Sequence, residues 1–280
     1  MPGWIALDGT VNMRDLGGLP THDGGQVQPG RLIRSDNLQD LTPADVRRLV
    51  DDLGVTDVVD LRTHTEVTVT GPGPLRTTPV RHHHLSLIPG DDQPLTPQEA
   101  AAREDRWVRV DAAERDDPNY WQHHYLSYVT GRPDSMGAAL EVIATSPGAT
   151  LIHCAAGKDR TGTLAALALS VAGVPQDAVV ADYVASGERI EAILGRLAGV
   201  APYRVGLDEA TIADQTPRAT TMTGILQALQ EAYGGAAGWL RSVGWTDADL
   251  DRLRARLTAP TPAQDRGMPS GGPAGVASGR

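Results

Sequence analysis

Residues 149 to 163 read Ala-Thr-Leu-Ile-His-Cys-Ala-Ala-Gly-Lys-Asp-Arg-Thr-Gly-Thr. A thiol, an ammonium, a carboxyl and a guanidinium fall between Cys154 and Arg160. A short apolar run ends at His153, and an Ala/Leu-rich segment runs from Leu164 to Val174. The pattern predicts a buried strand, a tight loop and a helix. Backbone N–H groups of Ala155, Ala156, Gly157 and Lys158 would then point into the loop at a helix N-terminus, an arrangement that holds an anion. The thiolate is the reactive form of cysteine, and helix N-termini favour it. Arg160 can fork two hydrogen bonds onto the oxygens of a phosphate. Nucleophile, cradle and clamp together imply displacement at phosphorus through a cysteinyl-phosphate. The competing reading makes Cys154 a buried structural cysteine and Arg160 a surface residue at a helix start.

Cys154 is the single cysteine, and Lys158 is the single lysine among 25 basic residues. In a chain that otherwise uses arginine, an ammonium at this loop brings a second cation to its mouth. A solvated lysine is the plain alternative. Thr161 can hydrogen-bond the sulfur, or cap the helix. Gly157 and Gly162 relieve crowding where backbone approaches a phosphate or a neighbouring element. His153 is expected to brace the loop by hydrogen bonds.

The loop resembles the cysteine-based phosphatases, whose hallmark is His-Cys-x5-Arg-Ser/Thr. It is most similar to a bacterial tyrosine-phosphatase family carrying His-Cys-x-Ala-Gly-Lys-Asp-Arg-Thr-Gly, matched throughout His153 to Gly162. Asn12-Met13-Arg14-Asp15-Leu16-Gly17-Gly18, Arg34-Ser35 and Asp60-Leu61-Arg62 resemble further motifs of that family. The resemblance implies that Asp159 is the general acid, set inside the phosphate loop, with Asp15, Asp60, Asp91 and Asp92 as fallbacks. Its competing role is a first-turn aspartate favoured by the helix dipole. It also implies that Arg14 with Asp15, and Asp60 with Arg62, brace the loop. The loop also resembles that of the tensin-like phosphoinositide phosphatases, which share the lysine, so beside phosphotyrosine protein a phosphoinositide or dual-specificity (phosphoserine) substrate range stands as the alternative.

Around the loop the chain predicts an α/β fold with a mostly parallel central sheet flanked by helices. Leu32 to Ser35, Val55 to Leu61 and Val80 to Leu87 are expected strands. Thr42-Pro43 starts a helix whose apolar face is Val46, Leu49, Val50 and Leu53, and Gly54 ends it. A helix between strands implies a parallel βαβ unit. Tyr120 to Val129, Asp134 to Ala144, Pro175 to about Leu197, Thr220 to Tyr233 and Asp247 to Leu257 are expected helices. The aromatic residues Tyr120, Trp121, Tyr125 and Tyr128 are expected to pack rather than recognise. Residues 201 to 216 are expected to be less ordered. One phosphatase domain is expected over residues 1–258, with an acidic insert near 89–118 of the kind that forms flaps. Residues 259–280, rich in Pro, Gly, Ser and Ala, are expected to be disordered.

A net charge of −10 disfavours nucleic acid and anionic membrane surfaces as general partners. No apolar run approaches a membrane span, and no standard signal peptide opens the chain. A lone cysteine suits a reducing cytoplasm, with non-classical export left open. The oligomeric state is left open. No cofactor or metal is expected. His82-His83-His84 alternates faces on a strand, so at most two could meet one ion, with or without His123-His124. Two rival classes are a phosphate-binding module without turnover, and arsenate reduction, which consumes further thiols that this chain lacks.

Overall fold

The computed structural model describes residues 3–91, 93–96, 98–100, 119–200, 203 and 206–258. Most of the acidic stretch 89–118, the fallback acid Asp92 and the whole tail 259–280 lie outside the described residues.

Two short strands, β1 (Gly3–Trp4) and β2 (Arg14–Asp15), lead into β3 (Leu32–Ser35). Helix α1 (Pro43–Arg47) begins at Thr42, whose side chain accepts from the Asp45 N–H while Asp45 bonds back to the Thr42 N–H. Both first-turn donors are thereby satisfied reciprocally. The helix continues as a wider π turn over Arg48–Asp52. Gly54, at φ 63°, reverses the chain into β4 (Val55–Asp60).

After β4 comes α2 (His64–Thr70), then β5 (Arg81–His84), which is shorter than the expected 80–87. Helices α3 (Tyr120–Gly131) and α4 (Pro133–Thr145) precede β6 (Ala149–His153). Beyond the loop run α5 (Asp159–Ala172), α6 (Gln176–Ala185) and α7 (Ile190–Ala198). The remaining helices are α8 (Glu209–Gln215), α9 (Ala219–Tyr233), α10 (Ala236–Ser242) and α11 (Asp247–Thr258). Within 201–216, expected to be less ordered, the structure forms α8 over Glu209–Gln215, where the Asp208 carboxylate accepts from the Thr211 N–H and caps the helix.

The sheet order is β1-β2-β3-β6-β4-β5. The β3, β6, β4 and β5 neighbours are parallel, and β1 and β2 extend the edge antiparallel. The architecture is therefore the expected α/β sheet, mostly parallel and covered by helices. Alternation along β6 sorts its side chains between two faces. Ile152 joins the larger core with α3, α4 and α5, whereas Leu151 joins the smaller one with Leu49 of the π turn. Both faces of the central strands are covered, so β6 is buried throughout.

The register brings Ser35, Asp60 and His153 side by side at the C-terminal ends of β3, β4 and β6. In open α/β sheets ligands bind beyond that edge. Cys154 is the next residue of the central strand.

Candidate active site

Helix α5 is buried on nearly every face, from Arg160 to Ala172. Leucine and alanine all round suit a helix enclosed by neighbours. Its N-terminus is thus fixed against the sheet edge, and the loop Cys154–Lys158 bridges strand to helix.

The carbonyls of this loop are tied outward. Ala155 O accepts from the Asn37 N–H at 2.9 Å. Ala156 O accepts from Asn12 Nδ2 at 2.9 Å, and Gly157 O from an Arg34 guanidinium nitrogen at 2.8 Å. A trans peptide points its N–H opposite to its C=O. Carbonyls anchored outward therefore turn the intervening N–H groups into the loop and form an anion nest. Gly157 sits at φ 66°, and a Cβ there would lie 2.3 Å from Ser35 O. Only glycine lets the loop lie this close to β3.

The anchors are themselves held. Arg34 pairs with Asp182 of α6, and Arg14 Nε donates to the same carboxylate at 2.7 Å. Arg14 also donates to Asn12 Oδ1 at 2.7 Å. Burial alone would push the Asp182 carboxyl up, but Arg14 and Arg34 hold it below the usual carboxylate range. Arg14 thus braces the loop through Asn12 and Asp182. Asp15 instead accepts from the Gly17 and Gly30 N–H groups and orders a turn.

His153 is buried, with Nδ1 3.2 Å from Cys154 O and Nε2 3.6 Å from Asp60 Oδ2. Burial pulls its pKa down to about 4, so it is a neutral brace at neutral pH. Asp60 is chelated by Arg62 at 2.6 to 3.2 Å. His153 and Arg62 outweigh the burial that would push the Asp60 carboxyl up and hold it far below the usual range. Asp91 accepts from the His64 N–H at 2.9 Å. Asp15, Asp60 and Asp91 thus serve structure, and none is drawn into the loop.

Cys154 is 1% exposed. Arg160 places both terminal nitrogens on Glu66 of α2, at 2.5 and 2.8 Å. This fork fixes the plane of the guanidinium. Burial would push the Glu66 carboxyl up, but Arg160 and the Thr63 N–H hold it below its ordinary value. Glu66 escaped the sequence reading, although Thr63-His64-Thr65-Glu66 carries a capping-box signature.

Replacing Glu66 by Gln is expected to lower stability at neutral pH by about 2–3 kcal/mol, the worth of hydrogen bonds to a buried charge. The thermal midpoint should fall by about 4–12 °C. The folded pKa is depressed, so this contribution exists above the unfolded pKa and disappears as pH falls through the folded one. Melting curves of Glu66→Gln and the parent should therefore converge on acidification. A constant gap at all pH values would remove the charge from the explanation.

Lys158 is not a solvated lysine. It is 3% exposed, with Nζ 2.8 Å from Asp159 Oδ1 and 5.1 Å from the Trp121 ring centroid. Burial against an aromatic face strengthens such a contact. The aromatic stripe of α3 does pack, as expected, but it also serves the site: Trp121 lies by Lys158, and the Tyr125 hydroxyl donates to Asp159. Burial would push the Asp159 carboxyl up, but Lys158 and Tyr125 hold it below its usual range. Thr161 is fully buried, and its hydroxyl has no hydrogen-bond partner among the described residues. Neither the sulfur contact nor a side-chain cap is formed. Gly162 lies against Tyr183, where a Cβ would come within 3.0 Å of the ring.

Two of the five histidines drawn into a possible metal reading have other partners, while His82 Nε2 is buried without one among the described residues. His83 Nε2 lies 2.8 Å from Asp57, and His84 Nε2 lies 2.7 Å from Arg62 O. Among the described residues no cluster of three or more His, Cys, Asp or Glu could hold a metal ion. No helix among them is long and apolar enough to cross a membrane.

A cysteine at the end of a central parallel strand, a nest of backbone donors and an arginine on the next helix define a cysteine-based phosphatase architecture. Residues 5–259 match the tyrosine phosphatase family. The chain belongs to that family, as its loop resemblance implied. It is 31% identical to the triple specificity protein phosphatase PtpB of Mycobacterium tuberculosis, over 90% of this chain and 98% of that protein. It is 33% identical to a tyrosine-protein phosphatase of Nostoc commune, over 46% of this chain and 51% of the other.

Proposed function

We propose that this chain is a protein-tyrosine phosphatase acting through a cysteinyl-phosphate on Cys154, within a single domain over residues 1–258. The observation that carries it is the loop after Cys154, whose Ala155, Ala156 and Gly157 carbonyls are held by residues outside it, with Arg160 fixed by Glu66 on the next helix. Cys154 attacks phosphorus in line. The S–P bond forms as the bond to the ester oxygen breaks, and Asp159 protonates that oxygen. Water then displaces the thiolate, with Asp159 taking its proton. The N–H groups of Ala155, Ala156, Gly157 and Lys158, with Arg160, hold the non-bridging oxygens and their developing charge. Lys158 and His153 support the site from behind it, by potential and by bracing. No metal or cofactor takes part in this scheme. A free catalytic thiol suits the cytoplasm.

A second substrate class has a specific observation behind it. Lys158 is buried beside the loop, paired with Asp159, and once Asp159 takes up its proton the ammonium is left to add to the field felt by a bound anion. That favours substrates of higher charge, phosphoinositide headgroups among them.

Rapid acid quench with a phosphotyrosine peptide, followed by intact mass, tests the reading. The parent should gain one phosphoryl group, about 80 Da, and Cys154→Ala should gain none. The same quench with phosphoinositide vesicles decides the second class. Neither adduct nor turnover with any phosphate ester would leave a phosphate-binding module.

A further inference from the structure

We propose that Tyr125 is a positioning residue for Asp159, fixing which carboxyl oxygen carries the transferred proton; this rests on Asp159 being the general acid. The Tyr125 hydroxyl donates to Asp159 Oδ1, and Lys158 Nζ stands 2.8 Å from the same oxygen. Among the described residues, nothing hydrogen-bonds Oδ2. The Asp159 side chain keeps 18% exposure. Two donors on Oδ1 leave Oδ2 as the oxygen that gains and gives up the proton.

Tyr125 is built to hold that place. Its ring stacks on Tyr128 at 5.6 Å, tilts against Trp121 at 5.9 Å and meets the edge of Tyr183 at 6.3 Å. The hydroxyl is buried, with the ring 1% exposed as a residue, and it accepts from the Tyr183 hydroxyl at 3.4 Å. A chain of donors therefore runs from α6 through α3 to the first residue of α5. Such chains polarise one another and strengthen the terminal bond. Burial and the nearby Asp159 charge push the Tyr125 pKa well above the ordinary tyrosine value, so it stays a donor across the working range.

The titratable groups around Asp159 are Lys158 and Arg160 on its own segment, Cys154 in the loop after β6, Tyr125 and Tyr128 from α3, and Tyr183 from α6. Of these, Lys158 and Tyr125 contact the carboxylate through hydrogen bonds. Donation to the carboxylate favours its charged form. Removing the Tyr125 hydroxyl must therefore raise the Asp159 pKa. A general acid works protonated, so the basic limb of the rate profile should move to higher pH.

The experiment is the pH profile of kcat/KM for a phosphotyrosine peptide, with the parent, Tyr125→Phe, Tyr183→Phe and Asp159→Asn compared. Phenylalanine keeps the ring and its stacking. Tyr125→Phe should shift the basic limb up by about one to two pH units. Tyr183→Phe should shift it the same way by less, and it carries the test if Tyr125→Phe fails to fold. Asp159→Asn should erase the limb. An unmoved limb in the folded tyrosine variants overturns the positioning role alone. A limb that persists in Asp159→Asn overturns the general-acid reading beneath it.

Discussion

Cys154→Ser is expected to lose phosphatase activity by at least about 10³-fold while keeping its affinity for phosphate. The substitution leaves the volume of the side chain nearly unchanged, and Cys154 is 1% exposed in a well-packed core. The nest and Arg160 do not depend on the sulfur: the outward carbonyls are held by Asn37, Asn12 and Arg34, and the guanidinium by Glu66. Binding should therefore survive as chemistry stops, because a hydroxyl ionises far less readily than a thiol and is the poorer nucleophile. Two measurements check it. Steady-state turnover of a phosphotyrosine peptide should fall to about 0.1% of the parent or less, and residual turnover above about 1% would remove Cys154 as the nucleophile. Inorganic phosphate should still raise the thermal midpoint of the variant, since a ligand bound only by the folded state stabilises it.

The two halves of that expectation come from different parts of the fold. The proposed nucleophile, Cys154, is the residue after β6. The cradle is supplied by residues far away in sequence, since Asn12 lies in the approach to β2, Arg34 in β3 and Asp182 in α6. Asp182 joins two arginines that reach the loop by different routes. Two buried cations around one buried carboxylate are stable only as a set, because removing the shared anion strands both. The shape of the phosphate loop is thus written into three elements that do not belong to it.

Much of this was legible in the sequence, for a physical reason. A catalytic loop between a buried strand and a buried helix must be short, must turn on glycine and must carry its reactive groups at fixed spacing. Residues 149–163 show all three features. The parallel sheet was legible from the βαβ pattern, and α1 from its Thr42-Pro43 start. What stayed hidden depends on contacts between distant residues. Glu66 lies in a stretch for which the sequence reading named no element, and the capping box that starts its helix and its pairing with Arg160 appear only in the fold. Sequence alone leaves Lys158 between a cation at the mouth of the site and a solvated lysine until Trp121, 37 positions earlier, is seen beside it. The stripe Tyr120, Trp121, Tyr125 and Tyr128 has one periodicity whether it fills a core or orders an acid, and it does both. Helix α8 was hidden because its apolar face is slight: none of its residues is buried.

Asp159→Asn is expected to slow hydrolysis of phosphotyrosine by about 10²- to 10⁴-fold, the usual worth of a general acid, and to slow a nitrophenyl ester much less. The difference follows from the leaving group. Tyrosine's phenol, with a pKa near ~10, departs poorly as an anion and needs a proton as its bond to phosphorus breaks. A nitrophenol is acidic enough to leave without one. In the free protein Lys158 and Tyr125 keep Asp159 ionised, after outweighing the burial that would push its carboxyl up. A phosphate arriving in the nest brings negative charge next to that carboxylate, and like charges favour the neutral acid. Substrate thereby helps to load the proton it will receive. Asparagine preserves the shape and can still accept from Tyr125, but it has no proton of the right acidity to give. A series of aryl phosphates measures this directly: the slope of log kcat/KM against leaving-group pKa should be shallow for the parent and steep for Asp159→Asn. Equal losses for good and poor leaving groups would place the acid elsewhere. Among the described residues the remaining candidates, Asp15, Asp60 and Asp91, are committed to backbone donors, Arg62 or His64, so such a result would direct attention to Asp92.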